Sequence, residues 1–153
     1  KIIPSVQPTH ATSDMYWAED RLGESRLEGA YANKALLKQS GRIALGTDFP
    51  VEEVNPFLTF YAAVARQDLE AYPEGGYLPQ NKLNRIEALS GMTLWGAYAN
   101  FEEDQKGSIE VGKVADFVIL DRDIIQISEK RIPKTRIVAT FLNGNIVYSN
   151  RIN

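Results

Sequence analysis

A short apolar segment that ends in an aspartate constrains the fold of this chain more than any other feature. Residues 43–47 read Ile-Ala-Leu-Gly-Thr, the length and composition of one buried β-strand. Asp48 follows directly, and Pro50 prevents the strand from continuing. In α/β folds, ligand-binding and catalytic groups gather at this end of parallel strands. Asp48 is therefore a candidate functional residue, although an aspartate that only caps a turn or the next helix has the same local pattern.

The segments before Asp48 predict a parallel pair of strands. Residues 2–6 are apolar enough for a short strand, and the polar loop after them contains His10, the only histidine. Residues 24–39 have apolar positions at helical spacing, so the order strand, helix, strand predicts a βαβ unit. His10 and Asp48 would then follow neighbouring strands and could face one site. A histidine there can bind metal, move protons or contact a substrate, but backbone groups can equally satisfy it.

Two helix starts follow from capping patterns. Asn55 before Pro56 predicts a helix that runs to about residue 68, and its end at residues 66–68 is expected to be solvated. Asn84 with Glu87 three residues later predicts a second helix that opens with a capping box.

The last third of the chain changes character. Gly91 is expected to end the preceding helix and Thr93 to cap a further short helix through Tyr98, after which β-rich segments dominate. Residues 115–121, 136–142 and 145–148 read as strands, the last two joined by Asn143-Gly144, a strong hairpin signal. This segment therefore predicts an antiparallel sheet after the βα units.

Composition excludes several functional classes. The 153 residues suffice for about one domain, and a formal net charge of −3 without a basic stripe argues against a nucleic-acid partner. No apolar run approaches the roughly 20 residues of a membrane-spanning helix. Without cysteine and with one histidine, the usual zinc spacings cannot be written within the chain. Phosphate-binding glycine loops are also missing.

Four separated segments resemble motifs of the amidohydrolase superfamily, most closely its family-3 branch of metal-dependent hydrolases. Residues 7–15 (QPTHATSDM) and 46–51 (GTDFPV) resemble its late barrel motifs. Residues 106–121 (KGSIEVGKVADFVILD) are similar to its C-terminal signature, and residues 141–148 (FLNGNIVY) resemble its closing hairpin. The resemblance covers nearly the whole chain, in the family's order.

The resemblance implies an α/β fold that contains part of a (β/α)₈ TIM-type barrel. A complete barrel takes about 250 residues, so residues 1–104 would supply only its last two βα units. Residues 105–153 would supply the C-terminal strands of a small β-sandwich domain, including the closing hairpin. Because the chain begins at Lys1 inside an apparent strand, we expect it to be a C-terminal fragment.

The resemblance also implies chemistry. Family members hydrolyse C–N bonds, commonly non-peptide amides of small molecules, with one or two divalent metals, for which zinc is expected here. Asp48 matches the aspartate that ligates metal and acts as base for the attacking water. His10 matches a histidine outside the usual ligand set and is expected to bind substrate. The family's other metal ligands have no counterpart here, so we expect this chain to be inactive alone and to associate, through open sheet edges, with itself or with the missing N-terminal part.

Two alternatives remain open. The chain could be a non-catalytic binding or interaction domain that kept the fold and lost the chemistry. An aspartyl-phosphate domain would need an acidic cluster beside Asp48, which the preceding strand does not offer. A His-x-His motif encoded upstream would favour the enzyme.

Overall fold

The computed structural model describes residues 2–150 and shows an α/β arrangement with two small sheets. In chain order the elements are β1 (Ser5–Val6), α1 (Pro8–Asp14), α2 (Ala18–Leu22), α3 (Glu24–Leu27), α4 (Asn33–Ser40), β2 (Ala44–Leu45), α5 (Pro56–Ala65), α6 (Arg85–Met92), α7 (Leu94–Ala99), β3 (Phe117–Leu120), β4 (Ile137–Leu142) and β5 (Asn145–Ser149). Short 3₁₀ helices span Pro79–Asn81 and Glu129–Lys134. No helix within residues 2–150 is long and apolar enough to cross a membrane.

The predicted parallel pair is confirmed. Strands β1 and β2 run parallel, with Ser5 opposite Ala44 and Val6 opposite Leu45. The amide of Gly46 extends this pairing by donating to the carbonyl of Val6 at 3.1 Å. Both strands therefore end at the same edge of the sheet, as the βαβ pattern requires.

Helix α5 forms the centre of the core. Eight of its residues are buried, and it packs against α1, α6 and the 3₁₀ helix at 129–134. Its start is the predicted one, because the Asn55 Oδ1 accepts a hydrogen bond from the Phe57 amide at 3.0 Å. The buried core includes Ile43, Ile132 and Phe60 of α5, each at most 1% exposed.

Tertiary contacts override three local predictions. The single helix expected over residues 24–39 is broken into α3 and α4 by a turn in which Tyr31 has φ of 50°. Helix α5 ends at Ala65 rather than near residue 68, since Arg66 takes a left-handed conformation. Gly91 does not end a helix but lies within α6, where its missing side chain allows close contact with β2.

The antiparallel sheet matches the predicted strands. Its order is β3-β4-β5, and Asn143 and Gly144 both have positive φ in the β4–β5 turn. Asp116 accepts a hydrogen bond from the Asn143 amide at 2.7 Å, so it fastens that turn to the start of β3. The rings of Phe117 and Phe141 stack across the strands with centroids 4.4 Å apart. The capping box of α6 is also present, with both Asn84–Glu87 hydrogen bonds at 2.8 Å.

Candidate active site

His10 and Asp48 lie together at the ends of the parallel strands. The His10 Nε2 is 3.3 Å from the Asp48 Oδ2. The side chain of His10 is 29% exposed and that of Asp48 is 44% exposed, so solvent reaches part of each. The proximity that we inferred from the βαβ pattern is therefore present in the structure.

The backbone presents Asp48 in an uncommon conformation. Its φ is 59°, in the left-handed region that aspartate tolerates better than most residues. Its carbonyl accepts from the Val51 amide at 2.8 Å, so the chain turns immediately after it. The carboxylate makes no hydrogen bond within residues 2–150, and Asn55 caps the following helix instead. A simple capping role does not explain Asp48.

His10 lies on α1 and not in the loop that the sequence predicts. Pro8 at the start of α1 is well suited to a first helical turn, so the helix begins directly after β1. The His10 Nε2 is shielded from solvent and has no hydrogen-bond partner among the described residues. Its distance to Asp48 allows an electrostatic contact, but the alignment does not make a hydrogen bond. A buried nitrogen without a partner is uncommon and calls for a functional explanation.

Two hydrogen bonds fix α1 relative to its surroundings. The Ser13 hydroxyl donates to the Glu52 Oε1 at 2.7 Å, linking α1 to the loop that follows Asp48. The Tyr31 hydroxyl donates to the Asp14 Oδ2 at 2.8 Å, linking the end of α1 to the turn before α4. Burial and this hydrogen bond both raise the pKa of Tyr31, which therefore remains a donor at neutral pH.

The donor atoms of the site fit part of a metal centre. A carboxylate oxygen and an imidazole nitrogen are both ligands that zinc accepts. However, residues 2–150 contain no group of three or more His, Cys, Asp or Glu side chains that could hold a metal ion. A catalytic zinc site typically uses three protein ligands, so Asp48 and His10 could form only part of one.

Sequence reasoning missed a buried cation, Arg66. Arg66 is 0% exposed, although the pattern predicts a solvated helix end. Its Nε donates to the Tyr77 carbonyl at 2.9 Å, and its Nη1 donates to the Tyr31 carbonyl at 3.2 Å. Burial lowers the pKa of Arg66 to about 10, so the side chain is still charged at neutral pH. The only sequence signal is its position directly after a fully apolar helix turn.

Known proteins are similar to this chain over most of its length. Residues 1–148 match the model of the amidohydrolase family. The chain is 34% identical over 143 residues to the Bacillus subtilis protein YtcJ, covering 94% of this chain and 27% of that protein. It is 28% identical over 115 residues to an N-substituted formamide deformylase from Arthrobacter pascens, covering 75% of this chain and 21% of the enzyme.

A solved structure gives the same result. An uncharacterised metal-dependent hydrolase from Pyrococcus horikoshii superposes with a TM-score of 0.72 at 33% identity, covering 84% of this chain and 26% of that one. The chain thus spans about a quarter of the length of the relatives that it matches. The resemblance inferred from these motifs is confirmed, and the chain belongs to the amidohydrolase family of metal-dependent hydrolases.

Proposed function

We propose that this chain is the C-terminal part of a metal-dependent hydrolase that cleaves the C–N bonds of small non-peptide amides. Residues 1–104 would supply the last two βα units of its barrel and residues 105–153 a β-sandwich segment; residues 1 and 151–153 lie outside the described residues. The observation that carries the proposal is the Asp48 carboxylate, which makes no hydrogen bond within residues 2–150 and lies beside His10 at the strand ends.

Asp48 is proposed as both metal ligand and base. A divalent metal, proposed to be zinc, lowers the pKa of a coordinated water to about 7 when it is bound. The Asp48 carboxylate has two oxygens, of which one can ligate while the other accepts a proton. Its partial exposure keeps it open to solvent and substrate.

His10 is proposed to bind the substrate. The imidazole lies at the strand ends and is 29% exposed, so its exposed part can contact a substrate group that enters beside Asp48. Because the rest of α1 is held by Ser13 and Asp14, the imidazole can keep its place without a hydrogen bond of its own.

The relatives support the choice of bond. Removing a formyl group from an N-substituted formamide, as the name of the Arthrobacter enzyme describes, breaks an amide C–N bond. Another relative, 31% identical over 133 residues, is a 5-methylthioadenosine/S-adenosylhomocysteine deaminase from Thermoanaerobacter pseudethanolicus, and deamination also breaks a C–N bond. Because Asp48 alone, and even Asp48 together with His10, supplies fewer than the three protein ligands of a catalytic zinc site, this chain alone is proposed to be inactive.

A non-catalytic binding domain is the second candidate. It is favoured by one observation, the lack of a cluster of three metal-ligating side chains in the described part of the chain. An upstream His-x-His motif in the same reading frame would support the enzyme, whereas its absence would support the binding domain.

The surface of the antiparallel sheet supports association with further protein. Several apolar side chains of β3 and β5 are exposed, among them Val118, Ile119, Ile146 and Val147. Exposed apolar groups on a sheet with open edges favour pairing with another segment. We propose that the chain binds a second copy or the remainder of a longer protein here. Light scattering that shows only monomer at high concentration would contradict this.

The experiment that tests the function uses the protein expressed with all coding sequence upstream of residue 1. Asp48→Asn is expected to lower the rate of amide hydrolysis by about 10²–10⁴, the contribution of a general base. Glu53→Gln, a nearby exposed carboxylate, serves as the control and should leave the rate unchanged. Wild-type activity in Asp48→Asn would refute the proposal.

A further inference from the structure

We propose that Arg66 and Tyr31 are positioning residues that hold α1, and therefore His10, beside Asp48. The inference rests on the function proposed for His10 and Asp48. A chain of contacts begins at the buried guanidinium of Arg66 and ends at α1, the helix that carries His10.

The first link is the contact of Arg66 with two backbone carbonyls. Its guanidinium donates to the carbonyls of Tyr77 and Tyr31, at 2.9 Å and 3.2 Å. The pairing with Tyr77 is reciprocal, since the Tyr77 amide donates to the Arg66 carbonyl at 2.6 Å. No ion pair joins Arg66 to a carboxylate of residues 2–150, and its Nη2 has no partner. Burying a charge beside neutral partners costs free energy, but hydrogen bonds from a charged donor are strong. The guanidinium therefore holds both carbonyls in place.

The second link is the Tyr31 side chain. Tyr31 has a φ of 50°, in the turn that separates α3 from α4, and a bulky residue rarely adopts this conformation. Arg66 holds the carbonyl of this turn while the Tyr31 hydroxyl donates to the Asp14 Oδ2 at 2.8 Å. The turn is therefore fixed on one side and contacts α1 on the other.

The third link is α1 itself. Asp14 is its last residue and lies four positions after His10, so both side chains occupy the same face of the helix. The helix has only seven residues and no side-chain cap at its start. A helix this short is marginal by itself, so its position depends on tertiary contacts. The Tyr31–Asp14 hydrogen bond is one of them, and Ser13–Glu52 is another.

The test uses the 153-residue chain without a histidine tag, because His10 is then the only histidine that can react. Diethyl pyrocarbonate carbethoxylates imidazole, and the absorbance at 240 nm then reports on one residue. Because the His10 Nε2 is shielded, loosening α1 should expose it and speed the reaction. Tyr31→Phe, which removes only the hydroxyl, is expected to react about tenfold faster, the factor that corresponds to one hydrogen bond to a charged group.

Two control variants separate positioning from loss of stability. Tyr77→Phe removes a hydroxyl that has no hydrogen-bond partner in the described residues, and it should react at the wild-type rate. Asn84→Ala destabilises α6 without contacting α1, and it should also react at the wild-type rate while the protein stays folded. Arg66→Met should react faster, and Arg66→Lys should restore part of the protection. If Arg66→Met does not fold, Tyr31→Phe decides the question alone.

The outcomes of this carbethoxylation test can be told apart from those of the activity test of the proposed function. A wild-type carbethoxylation rate in Tyr31→Phe overturns the positioning role, whether or not the intact protein hydrolyses amides. An accelerated rate in both Tyr31→Phe and Asn84→Ala also overturns it, because general destabilisation would then explain the effect. Acceleration in Tyr31→Phe, with wild-type rates in Asn84→Ala and Tyr77→Phe, supports it, even if Asp48→Asn proves fully active and the proposed function fails.

Discussion

Replacing Gly91 with alanine tests how closely α6 approaches the strand that carries Asp48. A Cβ built at Gly91 would lie 2.6 Å from the Leu45 Cγ, 2.9 Å from the Leu45 Cδ1 and 3.2 Å from the Ile43 carbonyl oxygen. The first two distances are shorter than any normal carbon–carbon contact. The side chain of Leu45 or the strand itself must therefore move in Gly91→Ala.

Two opposing effects set the size of the change in stability. Alanine favours a helix interior over glycine by about 1 kcal/mol. Inserting a methyl group into a packed contact costs about 1–3 kcal/mol. We expect Gly91→Ala to lower the free energy of unfolding by about 1 kcal/mol net. Gly96→Ala is the matched control, because its Cβ would meet only the Gly91 carbonyl at an ordinary 3.7 Å, and it should be stabilising by about 0.5–1 kcal/mol.

Urea unfolding of both variants, followed by circular dichroism, measures the difference. Gly91→Ala should have a lower midpoint than the wild type, and Gly96→Ala a higher one. If Gly91→Ala is as stable as Gly96→Ala, the contact between α6 and β2 is looser than the structure shows. The explanation of why a glycine lies within α6 would then be wrong.

Two further variants test other parts of the structure. Asn84→Ala removes the capping box with Glu87 and should lower the free energy of unfolding by about 1 kcal/mol in a denaturant titration; no change would contradict the cap. Arg122 and a backbone amide hold the pKa of Asp121 down, to about 2, so its stabilising effect is present above its ordinary pKa and is lost as the pH falls toward 2. Asp121→Asn should therefore be less stable than the wild type in urea unfolding at pH 7, with a difference that shrinks from pH 4 toward pH 2; a constant difference would contradict this.

Elements defined by local chemistry could be predicted from the sequence. The start of α5 follows from Asn55 and Pro56, because an amide oxygen and a fixed φ suit the first turn of a helix. The β4–β5 turn follows from Asn143-Gly144, because both residues must adopt positive φ. In each case the residues that decide the conformation are adjacent in the chain.

Features decided by distant contacts could not be predicted. The turn between α3 and α4 contacts Arg66, whose Nη1 donates to the carbonyl of Tyr31 from 35 positions away. Arg66 itself looks solvated from its charge, and only the packed structure shows that it is buried. Gly91 looks like a helix end because its contact with Leu45 is invisible in the local pattern.

The candidate site is intermediate between these cases. The proximity of His10 and Asp48 follows from the order of strand, helix and strand, since successive parallel strands are usually neighbours. The helical position of His10 and its unpartnered Nε2 required the structure. The roles of both residues stay predictions.

The most direct test of the proposed site is anomalous diffraction at the zinc edge. Crystals of the protein expressed with its upstream coding sequence would be grown with zinc. We predict an anomalous peak about 2.0–2.2 Å from an Asp48 carboxylate oxygen, the usual zinc–carboxylate distance. A fully occupied zinc site elsewhere, with the Asp48 carboxylate unliganded, would contradict the proposal that this aspartate belongs to the hydrolytic metal centre.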